Sequence, residues 1–366
     1  MALIERLELR PYALPLRRPW ASAHGAIRLR RGLLVRVEAK GLIGYGDCAP
    51  LPEAGTEPLV AASAMLERWA HAFVGCDPEQ LLTEIDPLDE TAHAIGCTPP
   101  KERTPAAHYA LACALADLLS QQRGICLRCW LNPAACARIA VNAALGPVAQ
   151  VDAAQLADCI RRGLRVIKLK VGIAPLEDEL AVLRALERAI EPGLADRLVL
   201  RLDANGAWGL AQAHRFIEAT ARLRLPIESL EEPLADPDPL RLAELQSQAP
   251  FALALDESLI ARFAGCDPRA LGVRRLVLKP AAIGGLRRTL ALARHTQGSS
   301  LEVVITSLID SAAGLWPTAQ LAGALANPLA HGLGTGAWLA RDLGTPPLIQ
   351  DGWMALGDRP GSGFSA

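Results

Sequence analysis

Lysine is almost missing from this sequence. Of 38 basic residues only Lys40, Lys101, Lys168, Lys170 and Lys279 are lysine, so the chain writes arginine by default and each lysine asks for a reason. Aromatic residues are scarce as well, at 4% against 51% hydrophobic. The apolar content is therefore mostly Ala, Leu and Val, which argues against an aromatic-rich β-sandwich and for a helix-rich α/β protein. No charge of one sign predominates: 38 basic and 39 acidic side chains leave a net charge of −1. Nothing in that balance favours nucleic acid or an anionic membrane surface as partner. The 366 residues allow one large domain or two unequal ones, either able to bury a substantial core.

Further absences narrow the class. Residues 1–10 carry Glu5, Arg6, Glu8 and Arg10 and lack an apolar signal core, and the nine cysteines are odd in number and scattered. A cytoplasmic protein is expected. Cys126, Cys129 and Cys136 lack the second pair or the histidines that tetrahedral zinc requires, and are read as core residues. Residues 311–340 contain no Asp, Glu, Lys or Arg, but Pro317, Gln320, Asn327, Pro328 and several glycines interrupt them. They read as a buried helix of about a dozen residues with flanking loops, not a membrane span. No Gly-x-Gly-x-x-Gly turn follows an early strand, and Gly332-x-Gly334-x-Gly336 comes too late to open a dinucleotide fold.

What is present divides in two. Residues 4–16, 32–39 and 43–48 alternate like antiparallel strands, the last two joined by a turn at Lys40-Gly41, and helices are expected over 58–74 and 104–121. From about residue 139 short apolar runs alternate with Ala-, Leu- and Arg-rich helical stretches: 139–143, 166–171, 198–203, 227–231, 251–256, 276–279, 301–306 and 330–333. Eight such runs predict parallel βα units closed into a barrel, with a doubly wound sheet as the competing architecture.

In a barrel, inward residues near the C-terminal ends of strands form the active-site mouth. With Ile167, Leu169 and Val171 facing the helices, Lys168 and Lys170 point inward. The same parity turns Arg201 and Asp203, Asp256, and Lys279 inward, while the fourth run is less regular and groups Glu231 with Ile227 and Ser229. Asp203, Glu231 and Asp256 thus end three successive strands, 28 and 25 residues apart, without histidine or cysteine among them. Strand-end carboxylates are often helix caps or surface charges. Three together, with inward lysines, make a hard oxygen donor set suited to Mg²⁺. Lysine, unlike arginine, can deprotonate, and Lys170 is expected to release its proton more readily beside Lys168 and a divalent cation. Lysines on both sides of a metal suit removal of a proton α to a carboxylate.

The motifs Val166-Ile-Lys-Leu-Lys-Val-Gly172, Leu202-Asp-Ala-Asn-Gly-Ala-Trp208, Leu230-Glu-Glu-Pro-Leu234, Leu255-Asp-Glu-Ser-Leu259 and Leu278-Lys-Pro280 resemble those of the enolase superfamily, in its muconate-lactonising-enzyme subgroup. The resemblance implies a TIM-like (β/α) barrel, residues 129–340, with an N-terminal α+β capping domain, residues 1–128, completed by a C-terminal return, residues 341–366. It implies Asp203, Glu231 and Asp256 as Mg²⁺ ligands, Lys170 as base, Lys168 as its neighbour and Lys279 on the opposite face, acting on a small-molecule carboxylate. Arg201, the segment 307–314 and Gly332-Leu-Gly-Thr-Gly336 resemble the dehydratases that make o-succinylbenzoate in menaquinone and phylloquinone biosynthesis; Arg201, Ser307, Gly334, Thr335 and Trp20 are the implied substrate contacts. Asp310 stands where many relatives carry Glu. Racemases of N-acylamino acids and dipeptide epimerases share the two-lysine geometry and stay open as the alternative, with a cycloisomerase third; a non-catalytic binding barrel would be expected to lose some of the six charged residues. Residues 20–25 and then 50–56 are the expected lid, with Gly25 as hinge and Trp20 as apolar cover. Oligomeric state is left open.

Overall fold

In the computed structural model, which describes residues 3–22, 25–88, 103–190, 193 and 197–366, three antiparallel strands open the chain: β1 (Arg6–Ser22), β2 (Gly25–Ala39) and β3 (Leu42–Cys48). Lys40 and Gly41 join the last two with φ of 50° and 72°, the paired positive values of a type I′ hairpin. The expected helices run over Leu59–Ala72 and Pro105–Gln122. The second is apolar nearly all round, hence buried. It seats against β3 because Gly44 and Gly46 have no side chain there; a Cβ at either would stand 1.9 or 1.8 Å from the Ala114 or Ala110 carbonyl oxygen. The Glu57 carboxylate accepts its first free amides, Ala106 at 3.0 Å and Ala107 at 2.9 Å.

The short strand β4 (Arg138–Ala140) precedes seven parallel ones: β5 (Ala143–Pro147), β6 (Val166–Lys170), β7 (Val199–Asp203), β8 (Ile227–Glu231), β9 (Ala252–Leu255), β10 (Arg275–Leu278) and β11 (Glu302–Ile305). Their hydrogen-bonded order follows the sequence, with helices between, so the fold is a TIM-like barrel under an α+β cap. Leu200 and Leu276 of the barrel and Val35 and Leu115 of the cap belong to one continuous core.

The ends of the ring differ from the expected pattern. Residues 139–143 are not one barrel strand, because the Val141 and Asn142 amides are taken by the Gly352 and His331 carbonyls, each at 3.0 Å. The segment 330–333 forms no regular strand; His331 and Gly332 bridge to Val141 and Thr306 and so join the two edges of the sheet. The fourth run contains a bulge: pairing steps from Leu200 with Ile227 to Arg201 with Ser229, leaving Glu228 as the extra residue. Ile227 therefore lies with Leu200 on the helix-facing side and not with Ser229 and Glu231. Glu228 reaches Arg201 and Arg275 at 2.5 and 2.9 Å.

The apolar stretch after residue 311 contains the helix Ala312–Leu325, and no helix among the described residues is long and apolar enough to cross a membrane. Beyond it come β12 (Ile349–Gln350) and β13 (Trp353–Ala355), the latter antiparallel to β4. The tail then returns to the cap, where the Gly361 amide donates to Ile125 O at 3.0 Å and the Ser362 amide to Asp117 Oδ1 at 2.6 Å. Cap and barrel are also fastened beside the loop after β11. Arg30 donates to the carbonyls of Ala49, Pro50 and Ile309, and Asp47 accepts from the Ser311 amide and hydroxyl at 2.9 and 2.8 Å.

Candidate active site

Alternation along β6 separates Ile167 and Leu169, packed in the core, from Lys168 and Lys170, which face the cavity at the C-terminal mouth of the barrel. Asp203 and Glu231 pair side by side at the ends of β7 and β8, Asp256 follows β9, and Lys279 follows β10. The six residues expected at the mouth are therefore brought together, with β6 and β10 on opposite sides of the carboxylates.

Lys168 Nζ lies 2.9 Å from Asp203 Oδ2 and 2.6 Å from Glu231 Oε1. Lys170 Nζ donates to the same Asp203 oxygen at 2.9 Å and to Asn205 Oδ1. The sequence suggested that one ammonium would repel the other; in the structure both donate to Asp203, which screens that repulsion. Across the mouth, Lys279 Nζ lies 2.6 Å from Asp256 Oδ2 and 2.5 Å from Glu257 Oε1. Burial alone would lower the proton affinity of Lys168 and Lys279, but the adjacent carboxylates outweigh it and hold both ammonium groups above their ordinary value. Burial likewise opposes ionisation of Asp203, yet Lys168 and Lys170 keep its carboxyl below the usual range.

The β9 side is different. Burial, with Glu257 adding to it, pushes the Asp256 carboxyl well above its ordinary value despite Lys279. Glu232, accepting from the Asp256 and Ser258 amides and the Ser258 hydroxyl, is raised to about 7 by burial and then by Glu257. Among the described residues no three His, Cys, Asp or Glu side chains stand close enough to share one ion as they lie, Cys126, Cys129 and Cys136 included. The donor chemistry nonetheless fits a hard divalent cation. Asp203, Glu231 and Asp256 are 1%, 4% and 5% exposed, they end adjacent strands, and on the β9 side Asp256 and Glu257 share the single ammonium of Lys279.

Lys168, Lys170, Lys279, Asp203, Asp256, Glu232 and Glu257 line one cavity of about 810 Å³, bounded from the cap by Trp20, Leu51, Glu53 and Ala54, whereas Glu231, held by Lys168, does not line it. Ser307, Gly334 and Thr335 line it too, the two hydroxyls 2.6 Å apart. Arg201 does not. Two residues before Asp203 on the same face, it sits about 6–7 Å deeper, 4% exposed, donating to Glu228 at 2.5 Å and to the Ala330 carbonyl at 2.7 Å. Asp310 is buried behind the wall near Asp47; burial, then that neighbour, raises it to about 7. Of the expected lid, residues 23 and 24 lie outside the described residues.

Among the lining residues that the sequence does not single out are the polar side chains of Asn205, Glu257 and Arg18. Asn205 and Glu257 sit within the quoted Asp-Ala-Asn-Gly and Asp-Glu-Ser motifs, beside the carboxylates, and that adjacency was the available signal.

Residues 151–366 match the family model described as enolase C-terminal domain-like. The chain belongs to the enolase superfamily of enzymes. Among curated superfamily relatives, the o-succinylbenzoate synthase of Yersinia enterocolitica is 30% identical over 332 residues, 88% of each chain. That of Pectobacterium atrosepticum is 30% identical over 337 residues, 91% of this chain and 90% of the relative. The superfamily fold is matched by the dipeptide epimerase of Enterococcus faecalis, with a TM-score of 0.83, 23% identity and 100% of both chains covered. The N-succinyl Arg/Lys racemase of Bacillus cereus gives a TM-score of 0.84 at 20% identity, covering 99% of this chain and 95% of the racemase.

Proposed function

We propose that this enolase-superfamily chain is a Mg²⁺-dependent dehydratase, a carbon–oxygen lyase. It would form o-succinylbenzoate from a cyclohexadiene carboxylate bearing a hydroxyl and a succinyl chain, a cytoplasmic step of menaquinone or phylloquinone biosynthesis. The observation that carries this reading is the facing pair of lysine walls around buried carboxylates in one cavity, in a chain 30% identical to o-succinylbenzoate synthases over most of its length.

Asp203, Glu231 and Asp256 would hold the metal, which when bound supplies positive charge to orient the substrate carboxylate and to stabilise the charge that develops on it. Lys170, oriented by Asn205, would take the α-proton at Nζ and return it to the departing hydroxyl on the same face. Lys279, approaching from the other wall, contributes its positive charge. Lys168 holds the Asp203 and Glu231 carboxylates in place through its contacts to both. Trp20 and Leu51 cover the mouth and keep water from the reacting centre. Loss of water yields an aromatic ring, so the chemistry has a large driving force and chiefly needs positioning and charge stabilisation.

The opposed lysines also suit an N-acylamino acid racemase or dipeptide epimerase, in which both must exchange protons. Turnover of the cyclohexadiene substrate should therefore be measured beside α-deuterium exchange of a panel of N-succinylamino acids. Metal-dependent appearance of the aromatic product is expected. Rapid exchange from both enantiomers with no dehydration would replace the dehydratase reading by the racemase.

A further inference from the structure

Five cationic side chains among the described residues line the cavity, and four of them have carboxylate partners. Lys168, Lys170 and Lys279 are bound to the strand-end acids, and Arg262 Nη1 is 2.9 Å from Asp236 Oδ1. Arg18, on β1 of the cap, makes no ion pair among the described residues. Its guanidinium carbon lies 4.0 Å from the centroid of the Trp338 ring, and Trp338 meets Trp20 edge to face at 4.6 Å and 75°. The two indoles are seated in an apolar cluster with Leu14, Ile309 and Leu339. The cation is thus positioned by a face contact, which leaves its in-plane N–H edges available to an anion.

We infer that Arg18 anchors a second carboxylate of the substrate, remote from the one at the reacting end, and so restricts this site to dicarboxylates. The inference rests on the reading of the lysine-lined mouth as the place where the first carboxylate is activated. The two polar ends of the cavity come from different layers, lysines and acids from the barrel and Arg18 from the cap hairpin, with Trp20, Ile27 and Leu51 contributing apolar wall. A cavity of about 810 Å³ has room for a ring bearing a short carboxylate chain. A planar guanidinium suits bidentate contact with that terminal carboxylate.

The test uses the intact protein with Mg²⁺, carrying Arg18→Met or Arg18→Lys. Binding of o-succinylbenzoate is compared by calorimetry with binding of its monoester, esterified on the succinyl chain. Arg18→Met should weaken the dicarboxylate at least tenfold and the monoester less than twofold, and Arg18→Lys should recover most of the loss. In turnover the same loss should fall on KM, with kcat little altered. Equal weakening of both ligands, or of neither, would overturn the inference. So would wild-type KM for the cyclohexadiene substrate in Arg18→Met, an outcome that leaves the dehydratase reading standing. If dehydration itself fails but exchange of N-succinylamino acids occurs and shows the Arg18→Met loss in KM, the subsite holds and only the dehydratase reading falls.

Discussion

Replacing Asp117 by asparagine should alter stability by an amount that depends on pH. Asp117 lies on the helix Pro105–Gln122, 1% exposed, and accepts the Ser362 amide at 2.6 Å and the Tyr45 amide at 3.0 Å. Burial pushes its carboxyl from 3.8 to about 6, the amides restraining but not cancelling that rise. Because the folded state holds this proton more tightly than the unfolded state, the contribution to stability is full below pH 3.8 and is lost as pH rises through about 6. At about 1.4 kcal/mol per tenfold in proton affinity the whole effect is about 3 kcal/mol, of which about 2 falls between pH 4.5 and 7.5. Asparagine keeps an accepting oxygen and cannot ionise, so its penalty for losing the second amide contact, about 1–3 kcal/mol, should not vary with pH. Urea unfolding of wild type and Asp117→Asn at both values gives the comparison. Other buried acids, such as Asp86, are common to both proteins and cancel. The stability difference should shift by about 2 kcal/mol in favour of the variant at the higher pH. The same difference at both would refute the account of Asp117 as an ionised buried group.

Other outcomes follow from the site and its supports. Asp203→Asn, Glu231→Gln and Asp256→Asn should each abolish turnover while far-UV circular dichroism stays native; full activity after exhaustive chelation would defeat the metal assignment. Lys170→Arg should be inactive and Lys279→Arg should keep measurable dehydration, because arginine preserves charge but cannot give up its proton; equal loss in single-turnover assays would favour two proton-transferring lysines. Glu228→Gln should lower stability by about 3 kcal/mol, since it leaves Arg201 buried without its carboxylate. An unchanged denaturation midpoint would contradict that.

The strand-end chemistry was legible because a buried parallel strand has a simple period. Once the leucines of 198–203 and 276–279 are assigned to the helix side, Asp203 and Lys279 can only turn inward. That rule fails where the chain inserts a residue. Glu228 resides on a bulge, and no local propensity marks the position, because the bulge is defined by pairing with β7. The first and eighth segments of the ring depart from the local pattern for a related reason: Val141 and His331 are held by backbone partners distant in sequence. Arg201 shows the limit of parity itself. It has the correct face and the wrong depth, and depth depends on the tilt and stagger of neighbouring strands.

The tie between the tail and the cap has a consequence for the order in which the molecule is made. The amides of Gly361 and Ser362 fill sites on residues 125 and 117, and β13 adds to β4, so the cap receives its last pieces only after every barrel strand has left the ribosome. Domains generally fold as units during synthesis, N-terminal first. Here the earliest-made sheet and helix, including Asp117 in its apolar surroundings, must wait through translation of the whole barrel with part of their surface unclaimed. A released chain that ended just after residue 340 would therefore carry every lysine and carboxylate of the barrel mouth beneath a cover that is not locked down.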